Sequence, residues 1–418
     1  MTINSPVADK LPFSTVVRVF VPFALGYFLS YLYRAVNAVI APNLADDIGL
    51  DAAGLGLLTS AYFLTFAVFQ LPLGILLDRF GPRKTEAALL VFAALGALVF
   101  ATADTLAGLT VGRGLIGLGV SACLMAAFKA FALWFPSGRL PLINGLQMAA
   151  GGLGALSATT PVEAALQITD WRGVFLVLAV VTFATAGAVL LAVPERQDGQ
   201  SRTGFVEQAR GVGRVFTSRV FWHIVPWTVM SQATFLAVYG LWAGPWLRDV
   251  AGLHRDAIAN HLALIATAMI AGFILLGAAA ERLSRHGVKP ITVACTGMTV
   301  FMGVQAALIF QWTDAALMVW MLFGFFGTTG ILPYAILSQS FPVQLAGRVI
   351  TGLNVLVFLA AFAAQWGIGV LINFWPTTAV GGYAPEGYHA AFMVMLALQA
   401  LGLIWYGISA IRLYRARP

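Results

Sequence analysis

The sequence predicts an all-α membrane protein of twelve transmembrane helices in two six-helix bundles, and three observations carry that expectation. The first is composition: of 418 residues, 60% are hydrophobic and only 10% charged, with a mean hydropathy of +0.87, where a soluble globular chain carries about 25% charged residues. The second is run length. A helix needs about 20 apolar residues to cross a bilayer, and such runs fall at 16–42, 54–77, 85–103, 105–134, 142–168 and 171–193, then at 219–247, 257–280, 290–312, 315–340, 348–372 and 388–411. The third is an internal echo at a spacing of about 205 residues. Gly74-x-x-x-Asp78-Arg79 after run 2 recurs as Gly277-x-x-x-Glu281-Arg282 after run 8, and Trp134-Phe135-Pro136 after run 4 recurs as Ser340-Phe341-Pro342 after run 10. Duplicated halves are a common way to build a membrane carrier.

The elements follow in order from these runs. A short segment of mixed charge, 1–15, precedes the first run, which itself carries an arginine and no small-residue cleavage site, so no cleaved signal peptide is expected. The first bundle spans 16–193 and the second 219–411. Between them 194–218, the longest polar stretch, carries Arg196, Arg202, Arg210 and Arg214 and reads as a cytoplasmic linker; 412–418 is a cytoplasmic tail. Orientation follows the lysine and arginine bias of short loops. Arg79, Arg83 and Lys84 follow run 2, Arg139 follows run 4, Arg282, Arg285 and Lys289 follow run 8, and Arg412, Arg415 and Arg417 close the tail. The opposite loops hold Arg172, Arg248 and Arg255 among a larger number of aspartates, so both termini are expected in the cytoplasm and the chain in the cell membrane, as a bacterial inner-membrane protein.

Several function classes drop out. The formal charge of +7 is spread over short loops and forms no nucleic-acid patch. Cys123 and Cys295 each sit in an apolar run and suggest neither a disulfide nor a metal site. Gly151-Gly152-Leu153-Gly154 lies inside an apolar run and follows no strand, which excludes a nucleotide cradle. No enzyme is expected, and no cofactor or metal.

Candidate binding residues come from charges and polar faces at membrane depth. Arg34 lies inside the first run and Lys129 inside the fourth, and no Asp or Glu is expected deep in any run to neutralise them. A charge there costs at least ~2.5 kcal/mol on insertion scales, so it usually faces a partner or a watery cavity; a small anionic substrate would be that partner. The structural alternatives are snorkelling to the interface and pairing with a helix carboxyl end. Helical spacing aligns Asn144 and Gln147 with Gly151 and Gly154, Gln232 with Tyr239 and Trp242, Tyr334 with Ser338, and Asn354 with Gln365. Any one of these is also explained as a packing hydrogen bond.

The run from Gly74 through Asp78, Arg79, Gly81 and Arg83 to Lys84 resembles the loop 2–3 signature of the major facilitator superfamily. That resemblance implies the major facilitator fold, with Asp78 helping to latch the halves in one conformation and Arg79 and Arg83 bonding near helix ends. Arg113-Gly114-Leu115-Ile116-Gly117-Leu118-Gly119 resembles the arginine-and-glycine motif of the same superfamily; Arg113 is open between a structural or coupling role and substrate contact. The stretch Gly26 to Pro42, with Arg34 eight residues before the proline, is similar to the first helix of the organophosphate exchangers and the anion:cation symporters, and Lys129 falls where sugar-acid symporters carry arginine. The sequence departs from the proton-driven members in reading Tyr33-Arg34 and Gly119-Val120-Ser121, where those carry acidic residues. Tyr33 joins the candidate substrate contacts, and Glu163, His261 and His389 are the groups left to titrate at accessible pH.

What this implies is a secondary transporter of a small organic anion working by alternating access. Its expected partners are the anion, the lipid bilayer and a coupling ion or counter-anion; no nucleic acid is expected, and the chain is taken to act as a monomer. An efflux pump for amphipathic compounds is the alternative. A nitrate porter fits less well, since the second helix offers Gln70 and no arginine.

Overall fold

The computed structural model describes residues 13–136, 139–196, 211, 213–378 and 381–415. Residues 1–12, Arg202 and Arg210 of the linker and Arg417 of the tail lie outside the described residues. Every regular element among the described residues is helical, and together they make twelve passes.

The first pass is Phe13–Ala35, continued beyond a turn at Val36 by Asn37–Ile48. The second and third form one 51-residue run, Ala52–Thr102, interrupted by Gly81 at φ 77°. The fourth is Leu106–Val120 with Cys123–Trp134, the fifth Leu140–Ser157 with Thr160–Leu166, and the sixth Trp171–Ala192. The seventh, Arg219–Ala237, runs through a π turn at Val238–Trp242 into Ala243–Asp249. Arg255–Arg285 and Pro290–Ile309 are the eighth and ninth. The tenth is Ala316–Gly327 with Leu332–Gln339, the eleventh Val343–Ile372, and the twelfth Pro385–Arg415.

Local chemistry sets the ends. Asp51, Thr105 and Asp170 each accept a hydrogen bond from a backbone N–H three residues on, satisfying a donor that the helix start leaves orphaned. The turns repeat between the halves. Gly49 and Gly252 take φ 71° and 67°, and Gly81 and Gly287 take 77° and 85°, at corresponding ends of the first and seventh and of the second and eighth passes. Left-handed backbone favours glycine, so the repeat is written in the turns as well as in the motifs.

Small residues bring the helices together. A Cβ at Gly112 would stand 2.7 Å from Phe100 N, and one at Gly119 would run into Ala93, so the fourth pass packs backbone to backbone on the third. Large apolar side chains such as Val180, Leu191 and Leu401 are exposed on the outside, as suits a surface facing lipid and not water.

The halves meet tightly at the end that carries Gly49 and Asp51. A Cβ at Gly369 would collide with Ala52 O and one at Gly244 with Ala38 O, so no side chain separates the eleventh pass from the second or the seventh from the first. Polar bonds reinforce the seal. Gln365 Nε2 donates to Thr59 Oγ1 at 2.6 Å, Asn373 Nδ2 to Asp51 Oδ2 at 2.6 Å, and Arg255 reaches Glu163 at 2.5 Å and Asn43 at 2.8 Å.

Candidate functional site

Behind that seal lies a cavity of about 290 Å³, bordered by both halves and running from Arg34 toward Phe128 and Ile350, which face the Gly81 end. Its size suits a small molecule.

Arg34 stands in the last turn of Phe13–Ala35, where helix carbonyls favour a cation. Its guanidinium carbon lies 4.6 Å from the centre of the Tyr31 ring, 5.4 Å from Phe358, 5.7 Å from Phe66 and 5.8 Å from Tyr62. Rings at such distances stabilise a cation by about 0.5–2 kcal/mol each, more when water is excluded. Phe358 belongs to the second half and its ring centre is 4.2 Å from that of Phe66, so the box around Arg34 straddles the seam between halves. Arg34 Nε is buried with no hydrogen-bond partner. Among the described residues lining the cavity, Arg34 is the one that carries a formal charge.

Arg113 acts one layer back. It is 1% exposed, donates from Nη1 to the carbonyl of Tyr33 at 3.0 Å, and packs on Tyr62 and Phe100. It therefore braces the turn that carries Arg34 and does not line the cavity. The glycines beside it serve packing: a Cβ at Gly117 would collide with Tyr62 O.

Of the remaining expected contacts, Gln232, Tyr239, Tyr334 and Asn354 do line the cavity. Tyr239 belongs to the π turn and its hydroxyl is buried without a partner, while Gln232 Nε2 donates to Gly327 O. The others stand elsewhere. Tyr33 points away on the same helix, its hydroxyl 2.9 Å from Thr182 Oγ1. Gln147 is fully buried and donates to Phe23 O, and Asn144 lies outside the cavity lining. Trp242 donates to Gln365 O inside the seal, and Ser338 donates to Ala335 O.

Lys129 requires the largest correction. Its ammonium lies 2.6 Å from Asp78 Oδ1 near the Gly81 end, outside the cavity, because a lysine five residues before the end of its helix reaches the neighbouring helix terminus more easily than the bundle centre. Asp78 thus pairs with the fourth pass of its own half. Nearby, Arg83 donates to Leu190 O at 2.8 Å and lies 3.8 Å from Glu195, Lys84 lies 2.5 Å from Glu195, and Arg79 stacks on Phe80. Lys84 holds the exposed Glu195 carboxyl below its usual range. Gly74 lies within the helix that leads into this turn.

A second correction concerns acidic residues at depth. Glu86, in the third pass, is fully buried and neither carboxyl oxygen has a hydrogen-bond partner. It is the second residue of the run 85–103 and was readable there as a carboxylate inside a span. Of the other titratable candidates, Glu163 is taken up by Arg255, and His261 and His389 each bond a backbone carbonyl through Nδ1. Sequence spacing also offered residues that were missed: Tyr27, Ser30 and Tyr31 precede Arg34 by seven, four and three positions, which puts them on its helix face, and all line the cavity.

Twelve helical passes around a seam-spanning cavity, closed at one end by backbone contact between two halves, define a multi-pass membrane protein. The model of the major facilitator superfamily matches residues 23–365, and the chain belongs to that superfamily. Among its relatives is a probable sulfoacetate transporter of Cupriavidus necator, 23% identical over 91% of this chain and 90% of that protein. A probable galactarate/D-glucarate transporter of Bacillus subtilis is 25% identical over 86% of each, and a hexuronate transporter of Escherichia coli is 26% identical over 56% of this chain and 58% of that one. The structure of a bacterial homologue of the human lysosomal transporter Spinster, in an inward-facing and occupied conformation, superposes with a TM-score of 0.78 over 96% of this chain and 97% of that one at 15% identity. A D-xylose–proton symporter gives 0.71 over 92% and 97%, also at 15% identity. These structures share the fold.

Proposed function

We propose that the protein is a secondary active transporter of a small organic anion that works by alternating access, and that the state described here opens toward the cytoplasm. The observation that carries this reading is Arg34: a buried guanidinium at the seam between halves, boxed by aromatic rings and facing the cavity. A carboxylate or sulfonate can take two parallel hydrogen bonds from such a fork, and Gln232, Tyr239, Tyr334 and Asn354 would read the rest of the molecule. The named relatives that carry sulfoacetate and sugar acids support an anion.

In this reading the bundles are 16–193 and 219–411, joined by the cytoplasmic linker 194–218. Both termini and the Gly81 end face the cytoplasm of a bacterial inner membrane, and the chain acts as a monomer with a coupling ion or a counter-anion. Asp78, Arg79, Gly81 and Arg83 bias the conformational equilibrium, with Arg113 bracing the substrate arginine.

The amphipathic-efflux alternative keeps one point in its favour, the apolar wall formed by Leu124, Met125, Phe128, Met148 and Phe273. One screen separates the two. Sulfoacetate, glucuronate and glucarate are expected to raise the melting temperature of the purified protein, since a ligand that binds only the folded state stabilises it by mass action. Stabilisation by lipophilic cations, with none by any of the anions, would overturn the anion reading.

A further inference from the structure

Glu86 lies between the first, third and fourth passes. A Cβ at Gly26 would collide with Glu86 Oε1 and would stand 3.6 Å from Cys123 Sγ, so the carboxyl occupies the gap that the missing side chain of Gly26 leaves. Glu86 and Cys123 are both fully buried, and neither Glu86 oxygen has a hydrogen-bond partner. An ionised carboxylate is not kept in such surroundings without a partner; the group holds its proton.

The charged and titratable groups on the packed elements do not supply one. On the fourth pass they are Cys123, Lys129, six residues on and bonded to Asp78 of the second pass, and Arg113, which is bonded to the carbonyl of Tyr33. On the first they are Tyr27, beside Gly26, Tyr31, Tyr33, which bonds Thr182, Arg34, eight residues beyond Gly26 and so about 12 Å along the axis, and Arg18, eight residues before Gly26 and bonded to Ala192 O. On its own pass Lys84 turns outward to Glu195, and Arg172, at the start of the sixth, bonds Asp104 at the other end of the bundle.

Two features link this buried acid to the cavity. Tyr27 and Leu124, the residues next to Gly26 and Cys123, line the cavity, which leaves Glu86 one layer behind its wall. The fourth pass is also interrupted at Ser121–Ala122, immediately before Cys123, and Ser121 lines the cavity as well. A hinge at that interruption would uncover Glu86 without disturbing the aromatic box of Arg34.

We propose that Glu86 is a membrane-embedded proton-binding site of this transporter and that its proton travels with the anion held at Arg34. The proposal rests on the anion reading above. Charge balance gives the sequence of events. Buried as it is here, Glu86 is neutral, and it ionises only where the hinge lets water reach it; on the entry side the anion pairs with Arg34 and Glu86 is buried again holding a proton taken from water. On the exit side the anion leaves, the Glu86 O–H bond breaks and the proton returns to water. One anion and one proton cross together, and no other reactant is needed.

The test uses the full chain in proteoliposomes. The hydrophobic reagent dicyclohexylcarbodiimide reacts with protonated carboxyls in membranes, and peptide mass mapping reads the adduct. The expected result is an adduct on Glu86 that declines as the pH is raised and is absent in Glu86→Gln; no adduct on Glu86, or one independent of pH, overturns the proton site. In parallel, accumulation of labelled sulfoacetate and glucuronate is followed under an imposed proton gradient. Glu86→Gln preserves the shape of a neutral acid, so a purely structural Glu86 would leave accumulation unchanged, and that result overturns the coupling. The proposal expects at least a tenfold loss of gradient-driven accumulation, with partial recovery in Glu86→Asp. If the wild-type protein neither binds nor moves either anion, the anion reading fails for those probes and the coupling falls with it, while the carbodiimide arm still decides the proton site.

Discussion

Lys129 Nζ lies 2.6 Å from Asp78 Oδ1, joining the end of the second pass to the fourth within the first half of the molecule. The pair is partly exposed and lies outside the cavity that Arg34 lines, so under the alternating-access proposal it biases the conformational equilibrium and does not contact the substrate. On that proposal the Gly81 end closes during the cycle, and this pair is among the contacts that reorganise there. A partly exposed pair contributes about 1 kcal/mol or less, which shifts a two-state equilibrium by roughly fivefold. Lys129→Ala is therefore expected to change turnover by that order while leaving equilibrium anion affinity within about twofold. Both are measured on one preparation by uptake and by thermal shift. A large loss of affinity with turnover unchanged would return Lys129 to the substrate site.

Arg34→Ala should abolish uptake while the protein still folds, because the substitution removes the anion's partner and also a desolvated charge. Arg34→Lys should recover little, since a point charge replaces neither the planar fork nor its stacking on Tyr31 and Phe358. Wild-type uptake by Arg34→Ala in proteoliposomes would remove this residue from the substrate site.

How far the sequence reached can be judged from these residues. The helical passes were legible because a bilayer demands about 20 apolar residues from each, whatever its neighbours do. Arg34 is legible because a charge at depth needs a reason, and the helix face it shares with Tyr31, Ser30 and Tyr27 follows from helical periodicity, whereas Tyr33, its neighbour in sequence, lies off that face and bonds Thr182. Lys129 looked equivalent in one dimension and is not, since the carboxylate that meets it comes from another helix. Gln147 and Trp242 share the polar pattern of Gln232 and Tyr239, yet they serve backbone carbonyls inside packed interfaces. Periodicity tells which residues share a face, and only the neighbouring helix decides whether that face meets a cavity.

The seal at the Asp51 end can be locked. Asn373 Nδ2 lies 2.6 Å from Asp51 Oδ2, and Asn373 Oδ1 accepts from Ala52 N at 3.1 Å, which brings the starts of the second pass and the turn after the eleventh into direct contact. With Asp51→Cys and Asn373→Cys in one chain, a short bifunctional thiol reagent should join the halves at this end and hold the present state. Transport is expected to stop on cross-linking and to return when a reducible linker is cleaved, while either single variant treated alike keeps transporting. Continued transport by the fully cross-linked protein would mean that this end does not open during the cycle.

Gly81 offers a test of backbone conformation separate from packing. At φ 77° it interrupts the run from the second to the third pass, yet a Cβ built there would meet nothing within 4 Å, so space is not what requires glycine. The left-handed conformation costs a side chain roughly 1–2 kcal/mol, and Gly81→Ala is expected to lower the melting temperature for that reason alone. Gly145 is the control. It too has open space around its missing Cβ but sits within the helix Leu140–Ser157 at no positive φ, and in a helix alanine is favoured over glycine by about 1 kcal/mol. Gly145→Ala should therefore leave the melting temperature unchanged or raise it, while Gly81→Ala and its counterpart Gly287→Ala, at φ 85° with equally open surroundings, both lower it. Equal melting temperatures for all three variants would mean that the turns after the second and eighth passes relax freely, and that the left-handed glycines do not hold the two halves' matching loops in shape.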